Sequence, residues 1–528
     1  MLIMVTSVLK DLNFSEMIRE NSVVAVSGFN MGTTPDFLIT KLLEYYRENG
    51  TPKNLFLISD ALPASPGRAL DNVMKYIYDE HDTRFIRGML VPFMGFSPYL
   101  QKVALEGVIP IYSWPIGLTA YWLREISSGR PGLLTKIGID TYLDPVNQGG
   151  ALNENASRKR ECTVREMTVD DERTLFFEGP KPNYALIRAS IADSKGNLSV
   201  RDEPFRGTIM TMAQAVKAHP NPGKVYAQVL RIMNGGYITP LEVEVPWPLV
   251  DGVIRSPAEY QSRATSFDFD PEVSVGNGYI ANPEFIGSDR VLDRAGEIIV
   301  REGINVLNET LKGKDHIMIN LGVGIPATIG RYINENRMGD RIVPVVESGP
   351  WGGVTLSGAD FGVCKGFFAV STIPDMFSNY EGGIIDAAAL GFLQVDRIGN
   401  VNPSILKDRI TGPGGFPVIA QGTPVAIFMG KFMAGRTEVD VKNGKLNIVR
   451  DGEEKKFVND VYKILFSGRQ ASLHRKRVIY ITERAVFELG ENGIILSKVA
   501  PGVDLEKDIL QKMEFRPEIS KKLKEMEI

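Results

Sequence analysis

The clearest pattern in the chain is an apolar run, Ile342 to Val346, that ends at an acid, Glu347. A short apolar run of this kind is typical of a buried strand in a parallel sheet. The six residues that follow, 348–353, contain three glycines and one proline, which end strands and helices alike. The pattern predicts a carboxylate at the C-terminal edge of a sheet, where open α/β folds bind ligands. A solvated acid in a surface turn is the competing interpretation.

Two strand-turn-helix patterns resemble each other in the two halves of the chain. In the first, Ser22 to Val26 predicts a strand, and a glycine-containing turn leads into a helix. Thr34 is the predicted N-cap of this helix, Pro35 its first residue and Gly50 the residue after its end. In the second half, residues 317–320 predict a strand followed by another glycine turn.

A second pair of similar segments follows in the same order. Residues 107–117 resemble residues 341–350, which places Ser113 where the second half has Glu347. The predicted duplication is therefore asymmetric in its chemistry, with the acid in one half only.

A third pair consists of two Asp-x-x-Gly-Asn turns, in residues 192–197 and 395–400. Three matches in one order predict a duplicated α/β architecture, with two open domains that have mostly parallel sheets. Chance similarity between turns is the alternative. The polar, turn-rich segment 262–289 predicts the boundary, so the domains are expected to span residues 1–275 and 285–528.

The composition excludes several classes of protein. The formal net charge is -4, which argues against binding to nucleic-acid phosphates. The only cysteines, Cys162 and Cys364, form no C-x-x-C pair, which suits a reducing cytoplasm. No apolar stretch approaches the length of a membrane span. The four histidines show no metal-ligand spacing and no accompanying serine-nucleophile motif, so we expect no metal site and favour carboxylate chemistry.

Residues 322–327 fit the dinucleotide-binding pattern G-x-G-x-x-A, and Glu347 lies at a suitable distance to contact a ribose. A nicotinamide-dependent dehydrogenase is therefore a competing hypothesis. The elaborate loop after Glu347 and the glycine turns in both halves count against it.

A second glycine loop, residues 411–417, precedes another apolar strand pattern. Consecutive glycines can direct backbone N–H groups towards a developing negative charge, as in an oxyanion hole. A plain connecting loop is the alternative interpretation.

These motifs together resemble those of the family I CoA-transferases, and among them the fused, single-chain acetate or propionate enzymes. The resemblance extends over nearly the whole chain. It is carried by segments 131–136, 320–326, 346–353, 391–396, 412–416, 419–421 and 499–505.

The resemblance implies a reaction in which Glu347 attacks an acyl-CoA thioester and then carries CoA as a glutamyl thioester. A glutamate with its unperturbed pKa of about 4.3 is ionised at neutral pH. A glycine amide, that of Gly414 or Gly415, is implied as the oxyanion donor. No cofactor is implied beyond coenzyme A, which is a substrate. The implied partners are an acyl-CoA, a carboxylic acid acceptor and further copies of the chain in a homo-oligomer.

The chain also departs from the family pattern. Relatives have Pro-Gln-Gly in the first-half turn, where this sequence has Pro115-Ile116-Gly117. A glutamine donates a hydrogen bond and an isoleucine only packs. Either another donor replaces the glutamine, or the site is shaped for a bulkier, more apolar acyl group. We favour the second hypothesis, which predicts a preference for acyl groups longer or more branched than acetyl.

The candidate catalytic residue is therefore Glu347. The other candidates are oxyanion or substrate contacts at Gly28, Ile116, Gly414 and Gly415, and CoA or loop contacts at Gly322, Gly324, Gly352, Gly353 and Phe416. An acyl-CoA hydrolase and a non-catalytic CoA-binding paralogue remain as alternatives to a transferase.

Overall fold

A computed structural model describes residues 6–277 and 292–528 of the chain. The α-helices are α1 Phe14–Met17, α2 Asp36–Asn49, α3 Leu70–Glu80, α4 Pro98–Leu105, α5 Ile116–Ser127, α6 Glu154–Lys159, α7 Ile209–Lys217, α8 Arg294–Leu311, α9 Ile329–Glu335, α10 Ile373–Glu381, α11 Phe416–Gly422 and α12 Gly468–Leu473.

The strands before residue 277 are β1 Ser7–Val8, β2 Val23–Val26, β3 Leu55–Ile58, β4 Ala64–Ser65, β5 Arg68–Ala69, β6 Ile86–Leu90, β7 Ile111–Tyr112, β8 Leu133–Thr135, β9 Thr163–Val169, β10 Glu172–Glu178, β11 Tyr184–Ala192, β12 Leu198–Ser199, β13 Lys224–Ile232 and β14 Gly252–Arg255.

The strands after residue 292 are β15 Ile317–Leu321, β16 Ile342–Val345, β17 Pro350–Trp351, β18 Val354–Thr355, β19 Cys364–Lys365, β20 Ala369–Val370, β21 Ala387–Gly391, β22 Gln394–Asp396, β23 Val401–Asn402, β24 Val425–Met429, β25 Met433–Ala434, β26 Glu438–Lys442, β27 Lys445–Arg450, β28 Glu454–Lys455, β29 Phe457–Val458, β30 Arg477–Ile481, β31 Ala485–Gly490, β32 Gly493–Val499 and β33 Glu518–Glu525.

Each half is built around one large sheet. The first follows the order β1-β14-β13-β11-β2-β3-β6-β7, with every neighbouring pair parallel. The second follows the order β20-β17-β16-β15-β21-β24-β30-β31-β32-β33, and its central run from β16 to β30 is parallel. The predicted α/β class with mostly parallel sheets is confirmed.

The central strands of the two sheets share one arrangement. β2 lies between β3 and β11 in the first sheet, and β15 lies between β16 and β21 in the second. In the first sheet the chain passes from β2 through α2 to β3, and in the second it passes from β15 through α9 to β16. This equivalence agrees with the first of the three predicted sequence matches.

The second predicted match is wrong. Ser113 follows β7, which lies two strands away from β3 at the edge of its sheet, whereas Glu347 follows β16, the topological equivalent of β3. The last residue pair between β2 and β3 is Ala25 with Ile58, and the last pair between β15 and β16 is Asn320 with Val345. The residue equivalent to Glu347 is therefore Asp60, two residues beyond its strand. Segments 107–117 and 341–350 share an apolar run and a proline, but these features do not determine which strand each segment pairs with in its sheet.

The third match is confirmed in detail. The Asp193 carboxylate accepts hydrogen bonds from the backbone N–H of Lys195, Gly196 and Asn197, and from the Asn197 side chain at 2.8 Å. Asp396 forms the same type of turn and accepts a hydrogen bond from the side chain of its own asparagine at 2.9 Å. The short polar side chains thus stabilise equivalent turns after equivalent central strands.

The predicted start of α2 is wrong by one residue. The helix begins at Asp36, and its N-cap is Pro35, with no side-chain cap. The Thr34 hydroxyl instead donates to the Asn30 carbonyl at 2.6 Å. The predicted C-terminal glycine is confirmed, because Gly50 has a φ of 67°.

The predicted boundary cannot be located in full, because residues 278–291, including the proposed start of the second domain at residue 285, lie outside the described residues. The two halves share one apolar core cluster that contains buried side chains of both, among them Trp114 and Phe377. No helix in the described part of the chain is long and apolar enough to span a membrane.

Gly117 shows how closely the halves approach each other. A Cβ atom at this position would lie 2.4 Å from Cδ1 of Phe377, a fully buried ring on α10 of the other half. Gly117 is thus required by packing across the interface rather than by its backbone conformation.

We expect Gly117→Ala to destabilise the protein by about 1–3 kcal/mol, because the buried ring has no free space to move into. Denaturant unfolding measures this, and Phe377→Leu in the same chain should recover part of the loss. Gly330→Ala is the matched control: it is also helical, and its Cβ would meet only Leu321 at 3.6 Å. Equal stability of Gly117→Ala and wild type would contradict the tight contact.

Candidate active site

Glu347 lies at the C-terminal edge of the second sheet, two residues after β16. The side chain is 6% exposed and borders a cavity between the two halves of the chain. Gly349, which follows at a φ of 128°, turns the chain where a Cβ would meet the Ser371 carbonyl at 2.2 Å. The strand thus holds the carboxylate at the edge of the sheet, and Gly349 allows the chain to turn close to the Ser371 backbone.

Asn320 fixes the position of this carboxylate. It lies on β15 directly opposite Val345, and its amide donates to the Val345 carbonyl at 3.3 Å and to Oε2 of Glu347 at 3.4 Å. The same amide lies 3.0 Å from the Tyr380 hydroxyl, which donates to the Val345 carbonyl at 3.4 Å. All of these groups are buried, so the carboxylate is held by a continuous polar network.

Burial raises the pKa of Glu347 above its ordinary value, because the charged form loses its hydration. The hydrogen bonds from its own backbone N–H and from Asn320 act in the opposite direction. The pKa of Glu347 is therefore higher than the unperturbed value used in the sequence analysis. A desolvated carboxylate is also a stronger nucleophile than a hydrated one, which suits Glu347 for attack on a carbonyl carbon.

Three backbone hydrogen bonds join the two halves beside Glu347. The Gly414 N–H donates to the Pro92 carbonyl at 2.9 Å, and the Ile116 N–H donates to the Gly414 carbonyl at 3.0 Å. The Met94 N–H donates to the Thr411 carbonyl at 3.0 Å. We call these three bonds the interdomain clasp. They hold the glycine loop of the second half against the first.

The interdomain clasp distinguishes between the two predicted oxyanion donors. The Gly414 N–H is already used, so it is not available to a substrate oxygen. The Gly415 N–H donates to no acceptor among residues 6–277 and 292–528, and it precedes α11, whose N-terminus favours negative charge.

A buried ion pair holds the first-half loop that borders the cavity. Arg188 and Glu203 are fully buried and 2.8 Å apart. The Arg188 guanidinium also donates to the carbonyls of Met31 and Thr34, while Glu203 accepts from the Thr33 N–H. This network fixes the loop that carries Phe29 and Asn30.

The cavity has a volume of about 310 Å³ and lies within the range of small-molecule sites. Glu347 is its only acid among the described residues. The aromatic lining consists of Phe29, Phe93, Phe96, Phe361, Phe392 and Phe416. A larger cavity of about 530 Å³ lies elsewhere at the interface, but it does not contain Glu347. The site chemistry therefore belongs to the smaller one.

The structure brings some of the predicted residues together and separates others. Those that line the cavity with Glu347 are Ile116, Gly322, Gly414, Gly415 and Phe416. Those outside its lining are Gly28, Gly324, Gly352 and Gly353. The last two have φ angles near 73°, and a Cβ on Gly353 would meet the Lys365 carbonyl at 2.2 Å, so they shape the loop after Glu347.

Several residues of the site have no part in the sequence prediction. Asn320 is one, although a polar residue near the end of an apolar strand is a usable signal. The first-half phenylalanines and Ser404 are others. Their approach depends on contacts between distant segments, for which the local sequence contains no signal.

Comparison with known proteins identifies the family. A sequence model described as Coenzyme A transferase matches residues 13–256. The acetate CoA-transferase YdiF of Escherichia coli is 34% identical over 93% of this chain and 88% of its own. The chain belongs to the family I CoA-transferases. It is thus an enzyme of the CoA-transferase class, and the dehydrogenase hypothesis for residues 322–327 is wrong.

Two further relatives extend this result. The caffeate CoA-transferase of Acetobacterium woodii is 31% identical over 97% of this chain and 95% of its own. The crystal structure of YdiF from E. coli O157:H7 as a thioester complex with CoA covers 99% of this chain and 95% of its own, with a TM-score of 0.85 and 32% identity.

We expect Asn320→Leu to move the acidic limb of the kcat/KM profile to higher pH. The amide lowers the Glu347 pKa, so its loss raises that pKa further and the reactive carboxylate is depleted at a higher pH. Initial rates of CoA transfer over a pH series measure the shift. Asn336→Ala, which removes an exposed amide on the same half, is the control. An unchanged limb in Asn320→Leu would contradict the role given to Asn320.

Proposed function

We propose that the enzyme transfers CoA from an acyl-CoA to a second carboxylic acid through a covalent glutamyl-CoA thioester on Glu347. The observation that carries the proposal is the buried Glu347 carboxylate in an apolar interdomain cavity. The thioester complex solved for YdiF, which matches 99% of the chain, supports the same chemistry.

The reaction conserves the thioester bond through four exchanges. An oxygen of Glu347 attacks the acyl-CoA carbonyl; the new C–O bond forms an anhydride, and CoA leaves as a thiolate. The thiolate attacks the glutamyl carbonyl, releases the first acid as a carboxylate and leaves glutamyl-CoA. A second carboxylate attacks that thioester, and CoA then attacks the resulting acyl carbonyl and frees Glu347. One carboxylate enters and one leaves, so charge balances, and the proposal includes no metal or cofactor.

Negative charge develops on the attacked carbonyl oxygen in every step. The Gly415 N–H supports the proposal as its donor, since the Gly414 N–H is engaged in the interdomain clasp. A preorganised donor of this type acts strongly in a cavity that excludes water.

Burial of Glu347 favours transfer over hydrolysis. Water must reach the anhydride or the glutamyl thioester to release free acid, and the surrounding cavity wall is largely apolar. The hydrolase alternative is therefore less well supported, and a binding protein would not need a nucleophile held in this position.

We expect Glu347→Ala to lower transfer by roughly 10⁴-fold or more, because the covalent route is lost. Glu347→Gln, which keeps the size of the side chain, should lose activity equally. Both variants should keep the unfolding midpoint close to that of wild type or above it, because a buried acid is removed. Turnover comparable to wild type in either variant would refute the assignment.

The intermediate itself is accessible to a direct experiment. Wild-type enzyme incubated with acyl-CoA and no acceptor should carry CoA on Glu347, and borohydride should reduce that thioester to an alcohol. Peptide mass mapping locates the altered residue. A modification elsewhere, no modification, or intersecting instead of parallel double-reciprocal lines would argue against the mechanism.

Ile116 supports a preference for acyl groups longer or more branched than acetyl. It is 2% exposed and lines the cavity together with the six phenylalanines. The related enzymes act on acids as different as acetate and caffeate by name, so the family tolerates changes at the acyl site. Each additional methylene buried in such a cavity contributes about 0.8 kcal/mol.

We expect wild type to favour butyryl-CoA or branched acyl-CoA over acetyl-CoA in kcat/KM, and Ile116→Gln to shift the ratio towards acetyl. A polar side chain here restores a hydrogen-bond donor and removes apolar surface. Ile384→Gln, which changes an isoleucine that is 53% exposed and lies outside the cavity, should leave the ratio unchanged. A wild-type enzyme that prefers acetyl-CoA would refute the proposed specificity.

A further inference from the structure

The polar side chains that line the cavity differ in whether they have a hydrogen-bond partner within the protein. Asn30 donates to the Phe361 carbonyl at 2.9 Å, and Asn320 donates to the groups around Glu347. The Thr411 hydroxyl donates to the Ser404 carbonyl at 3.2 Å. Each of these side chains therefore has a partner within the protein.

Ser404 does not. Its side-chain oxygen is buried and has no hydrogen-bond partner among the described residues. A buried hydroxyl left without a partner destabilises the protein, and such groups in native proteins usually have a functional or structural reason.

The backbone of Ser404 is firmly held while its hydroxyl is free. Its N–H donates to the Asn402 side chain at 3.2 Å, and its carbonyl accepts from the Thr411 N–H at 3.0 Å. Thr411 also takes part in the interdomain clasp, so this position is fixed relative to both halves. A hydroxyl on a fixed backbone is suited to recognising one substrate atom.

We infer that Ser404 is a specificity-determining residue that selects acyl groups carrying a hydrogen-bonding oxygen, a hydroxyl or a keto group, on an otherwise apolar chain or ring. The inference rests on the proposed function, since it assigns the acyl group to this cavity. A serine hydroxyl both donates and accepts, so it pairs with either type of oxygen. Because the Ser404 oxygen is buried in the structure, the proposed contact includes a rotation of this side chain to another staggered rotamer.

The chemistry of the remaining lining supports this choice of substrate. Six phenylalanines and Ile116 bury hydrocarbon well but offer no partner to a second oxygen. The side chains of Asn30, Asn320 and Thr411 already have partners, so without Ser404 a substituent oxygen would have to compete for groups that are engaged. An acyl group without the oxygen leaves Ser404 unpaired. In both cases a buried polar group is left without a hydrogen bond and binding is weakened. A site can discriminate in this way between acids of nearly equal size.

Matched pairs of acceptor acids test the inference. The pairs are butanoate with 3-hydroxybutanoate and with 4-hydroxybutanoate, and 3-phenylpropanoate with its ring-hydroxylated forms, each with acetyl-CoA as the donor. In wild type we expect at least one hydroxylated acid to exceed its unsubstituted partner in kcat/KM by about tenfold or more. In Ser404→Ala the same ratio should fall to about one, because the unsubstituted acid loses nothing when the hydroxyl is removed.

Thr411→Val is the matched control, because it removes a neighbouring hydroxyl that already has a partner. It should change both members of a pair by the same factor and so preserve the ratio. A wild-type ratio near one for every pair, or a ratio that survives in Ser404→Ala, would overturn the inference. Absence of transfer to every acid would instead refute the proposed function, so the two failures are distinguishable.

Discussion

The site depends on keeping a carboxylate charged while it is out of water. Burial opposes the ionised form of Glu347, and the protein offsets this with the Asn320 amide, the residue's own backbone N–H and the strand beneath it. An unpaired buried charge is costly, so the supporting groups must be in place before any substrate binds. The second sheet supplies those groups, and apolar side chains of the first half, among them Phe29, Phe93 and Phe96, complete the cavity wall. Glu347 and part of the wall around it thus come from different halves of the chain.

The interdomain clasp explains how two halves produce one geometry. It uses backbone groups alone, so it specifies positions rather than side-chain identities. Gly412 allows this approach, because a Cβ there would lie 2.7 Å from the Pro92 carbonyl, and its φ of 80° is unfavourable for other residues. Once the loop is fixed, Gly414 is committed to the interface and Gly415 is left with a free N–H. The same contacts therefore align the halves and engage one of two neighbouring amides while leaving the other without an acceptor among the described residues.

Much of this arrangement is predictable from sequence because it is local. The strand before Glu347, the glycine turn after it and the two Asp-x-x-Gly-Asn turns each depend on a few consecutive residues. Asp60 as the equivalent of Glu347 is not predictable in that way, because the equivalence is set by strand order. Nor is the network of Asn320, since it needs the neighbouring strand in register. The Thr34 hydroxyl can accept from a helix N–H as an N-cap or donate to the Asn30 carbonyl, and only the folded loop decides between them.

Asp60 shows how the two halves differ at equivalent positions. In the first half it occupies the position that Glu347 has in the second, but it is fully buried. Burial raises its pKa to about 6, and it accepts a hydrogen bond from Thr208. Its neighbours Ala61 and Leu62 reach the cavity instead. The first half thus has a buried, hydrogen-bonded acid at this position and contributes the neighbouring apolar side chains to the cavity that contains Glu347. A site divided in this way works only when both copies are present in equal number, and joining them in one polypeptide sets that stoichiometry at translation.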